Sequence, residues 1–332
     1  MTIRTKKIAL SVSAGLLAAA AGAPALAFDN SHYGDTRINE LPAKARIAHR
    51  PWVGSWWAYT RNGIAYRHKL GSFAECRGVD AKAEPKTLID EGKSYCLSAA
   101  EKMDFVLGTV DDVEFAKMIE YGDKTQAELT SLQSQIRDLV RKLNSWIADN
   151  PGQDWRETDD GKEYLRLNEE LETKKAELPQ ISVDTATEFE HVEHGRGVAG
   201  VQGWWGHCNA WAAAALMEDE PRLDAEVTKD GRTITFTPGE VKALLTESWM
   251  EHHSSFFGSR HNDPENEGVS YDDVTPAGFH IYTATQIGQQ GKGFVIDRFT
   301  GDEVWNQPMR SYTSRFEPLY DVDAPEAETV EL

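Results

Sequence analysis

The stretch Gly203-Trp204-Trp205-Gly206-His207-Cys208-Asn209-Ala210-Trp211-Ala212-Ala213-Ala214-Ala215-Leu216-Met217 decides how the chain is read. Glycines on either side of a Trp pair mark a loop, and the alanine run behind them marks a helix that starts near Cys208. A thiol is a nucleophile only as the thiolate, and a helix N-terminus favours that form through unpaired N–H groups and the helix dipole. The same N–H groups stand where an oxyanion would form. Trp204, Trp205 and Trp211 would keep out water, which competes with an amine for an acyl-enzyme. Taken alone, an inert buried thiol is an equally good reading of Cys208.

Working outward, Cys208 is the odd one of three cysteines. Cys76 and Cys96 lie 20 residues apart in one polar region and are the natural disulfide pair, although other pairings stay open on sequence grounds. Closing such a loop stabilises a fold by about 3 kcal/mol. Oxidised cysteines fit the start of the chain. Arg4, Lys6 and Lys7 precede a short apolar run from Ile8 to Ala21, and Ala25-Leu26-Ala27 has a small-x-small cleavage pattern. We expect a signal peptide over 1–27 and a secreted or periplasmic protein with no transmembrane segment. The net charge is −19 and no basic stripe exists, which argues against nucleic acid as a partner. A field of that sign attracts cationic groups such as lysine side chains, but solubility alone explains it more simply.

The remaining pattern divides the chain. Residues 28–123 form an N-terminal region, in which Pro51 to Tyr59 is aromatic and Asn62-Gly63 marks a turn. Ser98-Ala99-Ala100-Glu101 carries the capping box of a helix. Leu129, Leu132, Ile136, Leu139, Leu143 and Ile147 recur at helical spacing, Asn150-Pro151-Gly152 breaks the run, and Tyr164, Leu167, Leu171 and Leu178 resume it. This predicts a coiled-coil-like helical hairpin over 124–178 with charged outer faces and no catalytic features. A catalytic core follows over 185–320, with a strand at Ile234-Thr235-Phe236 after the turn Asp230-Gly231 and a helix from Gly239 to Met250. Residues 321–332 form an acidic tail.

A thiolate needs a base, and the base needs an orienting partner. His280 is the best of ten histidines on pattern. Residues 278–286 and 293–297 alternate as strands, joined through Gly288, Gly291 and Gly293. A hairpin centred in that connection would set His280 and Asp297 near-opposite on one face, about 5 Å apart at Cβ. A one-residue slip would separate them. His207 adjoins the thiol, but neighbours on a tight turn rarely face each other. His252, His253 and His261 lack a zinc-ligand pattern, so a catalytic zinc site is not expected. The acidic run Asn262 to Glu267, with Asp272 and Asp273, lacks an EF-hand register and reads more simply as a solvated loop than as a calcium site. Gly288 to Gly293 joins two predicted strands, which makes it a hairpin loop rather than a phosphate-binding one.

These residues resemble the transglutaminase elicitor family of oomycete-type transglutaminases and their bacterial relatives. Trp205 to Ala212 is similar to the family's nucleophile motif, and Pro276 to Thr283 with Phe294 to Arg298 to its His and Asp segments. Val304-Trp305-Asn306-Gln307-Pro308-Met309-Arg310 is similar to the surface peptide that plants recognise in the oomycete enzymes. Pro51 to Arg67 and Leu97 to Gly108 resemble its N-terminal region. Asn209 stands where a His is common, and Met309 and Ser311 depart from the recognised peptide. The resemblance implies an α+β fold with a papain/transglutaminase-like Cys-His-Asp core of antiparallel strands, the helical hairpin being an insertion. It implies a protein-glutamine γ-glutamyltransferase with the triad Cys208, His280 and Asp297, acting on proteins with exposed glutamine and lysine. The oxyanion would be held by the backbone N–H of Cys208 with Gln202 or the Trp205 indole. No cofactor is required for that chemistry. The family is often metal-assisted, and calcium or magnesium would be the cation here. The same triad would also suit a cysteine peptidase or a glutamine deamidase, and a non-catalytic exported binding protein is the alternative of a different class.

Overall fold

The computed structural model describes residues 40–257, 274, 276–299 and 303–315. The predicted leader 1–27, His261, the acidic run 262–267 with Asp272 and Asp273, and the tail 321–332 lie outside them. In chain order the elements are β1 (Lys44–Arg46), α1 (Pro85–Asp90), α2 (Ala99–Leu107), α3 (Phe115–Lys124), α4 (Thr130–Asp149), α5 (Asp159–Ala176), α6 (Ala186–Glu193), α7 (Cys208–Met217), β2 (Ala225–Lys229), β3 (Arg232–Phe236), α8 (Pro238–Ser248), α9 (Pro276–Thr283), β4 (Phe294–Asp297), β5 (Asn306–Met309) and β6 (Ser311–Thr313). The described strands form three separate two-stranded antiparallel sheets, β1–β6, β2–β3 and β4–β5. The fold is thus mixed helix with small antiparallel sheets.

Several elements follow from local chemistry. Asp230 and Gly231 have φ of 51° and 74°, the left-handed pair that a two-residue hairpin turn requires, and they set Lys229 opposite Arg232. Ser98 accepts from the Glu101 N–H while the Glu101 carboxylate accepts from Ser98 N–H, which closes the capping box that starts α2. Thr185 with Glu188 does the same for α6, and Thr237 with Glu240 for α8. The hairpin forms as its periodicity predicts: Leu129, Leu132, Ile136, Leu139 and Leu143 pack on Tyr164, Leu167, Leu171 and Leu178 in a core of their own. Its base rests on the chain ahead of α7, where Arg137 Nη1 donates to Gly200 O at 2.7 Å and Gln126 Nε2 to Arg196 O at 2.7 Å. Cys76 and Cys96 form a disulfide.

One expectation is overturned. Residues 276–283 are helical, not a strand, and a π-helical turn continues them to Gln289. Phe279 to Thr283 is too short a run for alternation to separate strand from helix, and Pro276 suits a first helical turn. The strand at 293–297 does form as β4, but its partner is β5, with Asp297 opposite Asn306. His280 and Asp297 are therefore not cross-strand neighbours.

The centre of the molecule is more polar than its sequence suggests. Within α2, Glu101, Lys102 and Asp104 are all fully buried. Each has a partner: Arg67 Nε donates to Glu101 Oε1 at 2.8 Å, and Lys102 and Lys69 both donate to Glu240 of α8, at 2.8 Å and 2.6 Å. Asp104 accepts from the backbone N–H groups of Ala186 and Thr187, at 2.6 Å and 3.0 Å, which are the first of α6. A carboxylate there matches the unpaired donors and positive end of the helix. Through these pairs α2 fixes both α6 and α8, the two helices that flank the start of α7.

Candidate active site around Cys208

The loop before α7 is shaped by what crosses it. A Cβ on Gly206 would stand 2.2 Å from the Trp56 carbonyl oxygen, so only glycine lets the Trp56-Trp57 segment lie over the motif. Trp57 itself holds a φ of 39°, an uncommon conformation for a bulky residue, and its carbonyl accepts from His207 Nδ1 at 3.0 Å. Tyr59 N–H donates to the Trp205 carbonyl at 3.0 Å. The next residue, Cys208, is the first of α7, and its thiol is free and 6% exposed. The N–H groups of Cys208, Asn209 and Ala210 have no carbonyl four residues back inside the helix.

The sulfur faces the β4–β5 sheet. Asn306 Nδ2 donates to Cys208 Sγ at 3.5 Å, and Sγ lies 3.6 Å from the Val304 carbonyl oxygen. Asp297, opposite Asn306, spends Oδ1 on the backbone N–H groups of Phe299 and Trp305, at 3.1 Å and 2.8 Å, which organises the connection into β5. The peptide 304–310 is thereby half-buried, with Asn306 turned to the thiol. Trp56 meets Trp305 edge to face at 5.9 Å above it. His280 sits on α9, its ring edge-on to Tyr312 of β6 at 6.3 Å, and burial pushes its imidazole pKa down. Asn306 thus stands beside the thiol and opposite Asp297 in the sheet register, and His280 sits on a separate element. Of the residues expected to hold the oxyanion, Trp205 Nε1 donates to Gln202 Oε1 at 3.0 Å, so that indole N–H is engaged with the other one. Asn306 was not singled out by pattern, because nothing in its strand marks an amide aimed at a distant thiol.

A second group stands directly behind the nucleophile. Glu190 of α6, His194 at the end of α6, His207 and Glu247 of α8 offer ligand atoms that all lie within 4.8 Å of one another. His207 Nε2 is 2.9 Å from Glu247 Oε2 and 3.6 Å from Glu190 Oε2, and His194 Nδ1 is 3.2 Å from Glu247 Oε1 and 3.5 Å from Glu190 Oε1. Burial opposes protonation of the two imidazoles, but the carboxylates outweigh it and hold His194 up to about 9 and His207 up to about 10. His207 Nδ1 is engaged by the Trp57 carbonyl and Nε2 faces Glu247 and Glu190, which leaves neither nitrogen to serve as a base for its neighbour. Sequence reasoning missed this cluster. Glu190 and His194 do stand four apart, one face of a helix, but His207 and Glu247 join them only through the fold.

A cleft of about 460 Å³ lies between the Val53–Ala58 segment and α8. Trp56 and Trp57 line it, whereas Cys208 does not.

The family model described as Transglutaminase elicitor matches residues 186–327, which include Cys208, His280, Asp297 and Asn306. The resemblance read from the sequence is borne out over that segment. Among solved structures, the GP42 transglutaminase from Phytophthora sojae is similar over 85% of this chain and 59% of its own, at 21% identity and a TM-score of 0.40. No curated protein sequence matches.

Proposed function

We propose that the chain is an exported protein-glutamine γ-glutamyltransferase with Cys208 as its nucleophile. The observation that carries this reading is the free thiol at the first residue of α7, with the Asn306 amide 3.5 Å away, inside the segment that matches the elicitor family. His280 and Asp297 complete the triad that the resemblance implies. Cys208 gives its proton to His280, and the thiolate attacks the side-chain carbonyl carbon of a glutamine. The negative oxygen is held by the N–H groups at the start of α7 and by the Asn306 amide. Collapse breaks the C–N bond, the imidazolium returns its proton to the leaving nitrogen, and ammonia departs from a thioester. A lysine amine then attacks the thioester, His280 takes its proton, and an isopeptide bond forms as the sulfur is released. Asp297 holds the end of β4 and the connection that sets Asn306. The Trp56, Trp205 and Trp305 indoles limit water, which would otherwise turn the thioester over to glutamate.

The test is incorporation of a fluorescent primary amine into a glutamine-bearing protein. Cys208→Ala should abolish incorporation while circular dichroism shows the fold retained. Glutamate formation in wild type that is unaffected by added amine would point instead to hydrolysis or deamidation. Incorporation by Cys208→Ala at the wild-type rate would end the proposal.

A further inference from the structure

Two carboxylates and two imidazoles converge in the interior without the hydrogen bonds that would explain them. One polar atom of each residue, Glu190 Oε1, His194 Nδ1, His207 Nε2 and Glu247 Oε2, is buried and has no hydrogen-bond partner. His207 is 0% exposed and Glu190 1%. Close N···O distances without hydrogen-bond geometry fit donor atoms gathered around one point better than pairs bonded to each other. Leaving four such atoms unsatisfied costs about 1–3 kcal/mol each, so the cluster calls for an occupant.

We infer that Glu190, His194, His207 and Glu247 bind one divalent first-row transition-metal ion. Four bonds of about 2.1 Å arranged as a tetrahedron have edges of about 3.4 Å. Each carboxylate turns one oxygen to each imidazole, at 2.9 and 3.6 Å from His207 and 3.2 and 3.5 Å from His194, separations close to that edge. The tautomer is also set. Trp57 O can only accept, so Nδ1 of His207 carries the hydrogen, and a neutral ring would then aim its Nε2 lone pair at the carboxylates. This is the outer-shell arrangement that orients a ligating histidine. Glu190 Oε2 is held likewise by the Ile64 N–H at 3.0 Å. The backbone closes tightly here: a Cβ on Gly63 would stand 2.3 Å from Glu190 Oε2 and 2.7 Å from His207 Cε1. Tyr59 stacks on His194 at 5.4 Å and Phe189 meets it edge-on at 5.1 Å, giving dry walls. The Glu247 side chain is 22% exposed, which leaves a route for the ion.

The donor set decides the class of ion. Two imidazole nitrogens with two carboxylates suit zinc, manganese, iron or cobalt, whereas calcium and magnesium prefer an all-oxygen shell. The ion would tie α6, the residue before Cys208 and α8 together, and so act as a staple behind the nucleophile. It does not touch the sulfur and does not depend on the proposed transferase chemistry.

The test uses the full chain with any histidine tag removed and metal stripped by chelator. Titration with Zn²⁺ should give one site per chain, unaffected by Ca²⁺ or Mg²⁺ in excess. Co²⁺ should give visible d–d bands without a sulfur charge-transfer band, and Cys208→Ala should bind equally well. His194→Ala and Glu247→Gln should lower Zn²⁺ affinity by more than the roughly 10- to 100-fold typical of outer-shell changes. Near-UV circular dichroism of the stripped wild type checks that the protein titrated is folded. Folded wild type that takes up neither Zn²⁺ nor Co²⁺, or full affinity in both variants, would overturn the site and leave a network of imidazolium–carboxylate pairs.

Discussion

Asn306 and Cys208 are 98 residues apart in the chain and 3.5 Å apart in space, which makes the pair a direct probe of the site. If the Asn306 amide holds the developing oxyanion, Asn306→Ala should slow amine incorporation about 10²- to 10³-fold. Alkylation of Cys208 by iodoacetamide should persist in that variant, since the thiol and its helix are untouched. An unchanged transfer rate would exclude Asn306 from that role. Cys208 was legible as the odd thiol before an alanine-rich helix. Asn306 was not, since an amide acquires its meaning only from what the fold sets opposite it. The indole of Trp205 shows the converse: it reads as a donor near the nucleophile, but the fold spends its N–H on Gln202.

Helix α2 is the element on which sequence reading and burial diverge most. Glu101, Lys102 and Asp104 would ordinarily mark a solvent face, yet the helix is enclosed and each charge meets a partner from elsewhere. Glu240 of α8 pairs with two buried ammonium groups, those of Lys69 and Lys102. Burial, opposed by Glu240, holds Lys102 down to about 8. Removing the carboxylate should therefore hurt more than removing one lysine. Glu240→Gln should cost about 3–5 kcal/mol in denaturant unfolding, and Lys102→Met within about 1 kcal/mol. Equal costs would contradict the shared-carboxylate account. On α6, His191 is buried against Phe115, and burial, with Arg67 and Arg196 nearby, holds its pKa down to about 4. The unfolded chain then binds the proton first. This contribution to stability is full above about pH 6.5, shrinks on acidification and is gone below about pH 4, a swing of about 3 kcal/mol. His191→Phe should flatten that part of the stability–pH curve; an unchanged slope would assign it to other groups.

Across the whole molecule, local signals were legible and long-range pairings were not. The capping box of α2, the Asp230-Gly231 turn and the seam of α4 and α5 are set by neighbours within a few residues, and all three form as read. The strand expected at 278–286 is helical, because so short an alternating run does not separate strand from helix, and the pairing drawn from it took the nearest partner in sequence. In the fold β4 pairs with β5, and β1 with β6 draws the beginning of the described chain to its end. Among the described residues no helix is long and apolar enough to cross a membrane. The charged network of α2 sets α6 and α8, these flank His207, and His207 precedes the thiol, so the polar interior and the candidate chemistry form one connected unit. What that unit is for turns on whether Cys208 carries an acyl group. The most direct measurement is mass spectrometry of the protein mixed with a glutamine-bearing substrate and quenched in acid. The account predicts a thioester on Cys208 that amines discharge and that Cys208→Ala lacks. An unmodified Cys208 under conditions where amine incorporation proceeds would contradict it.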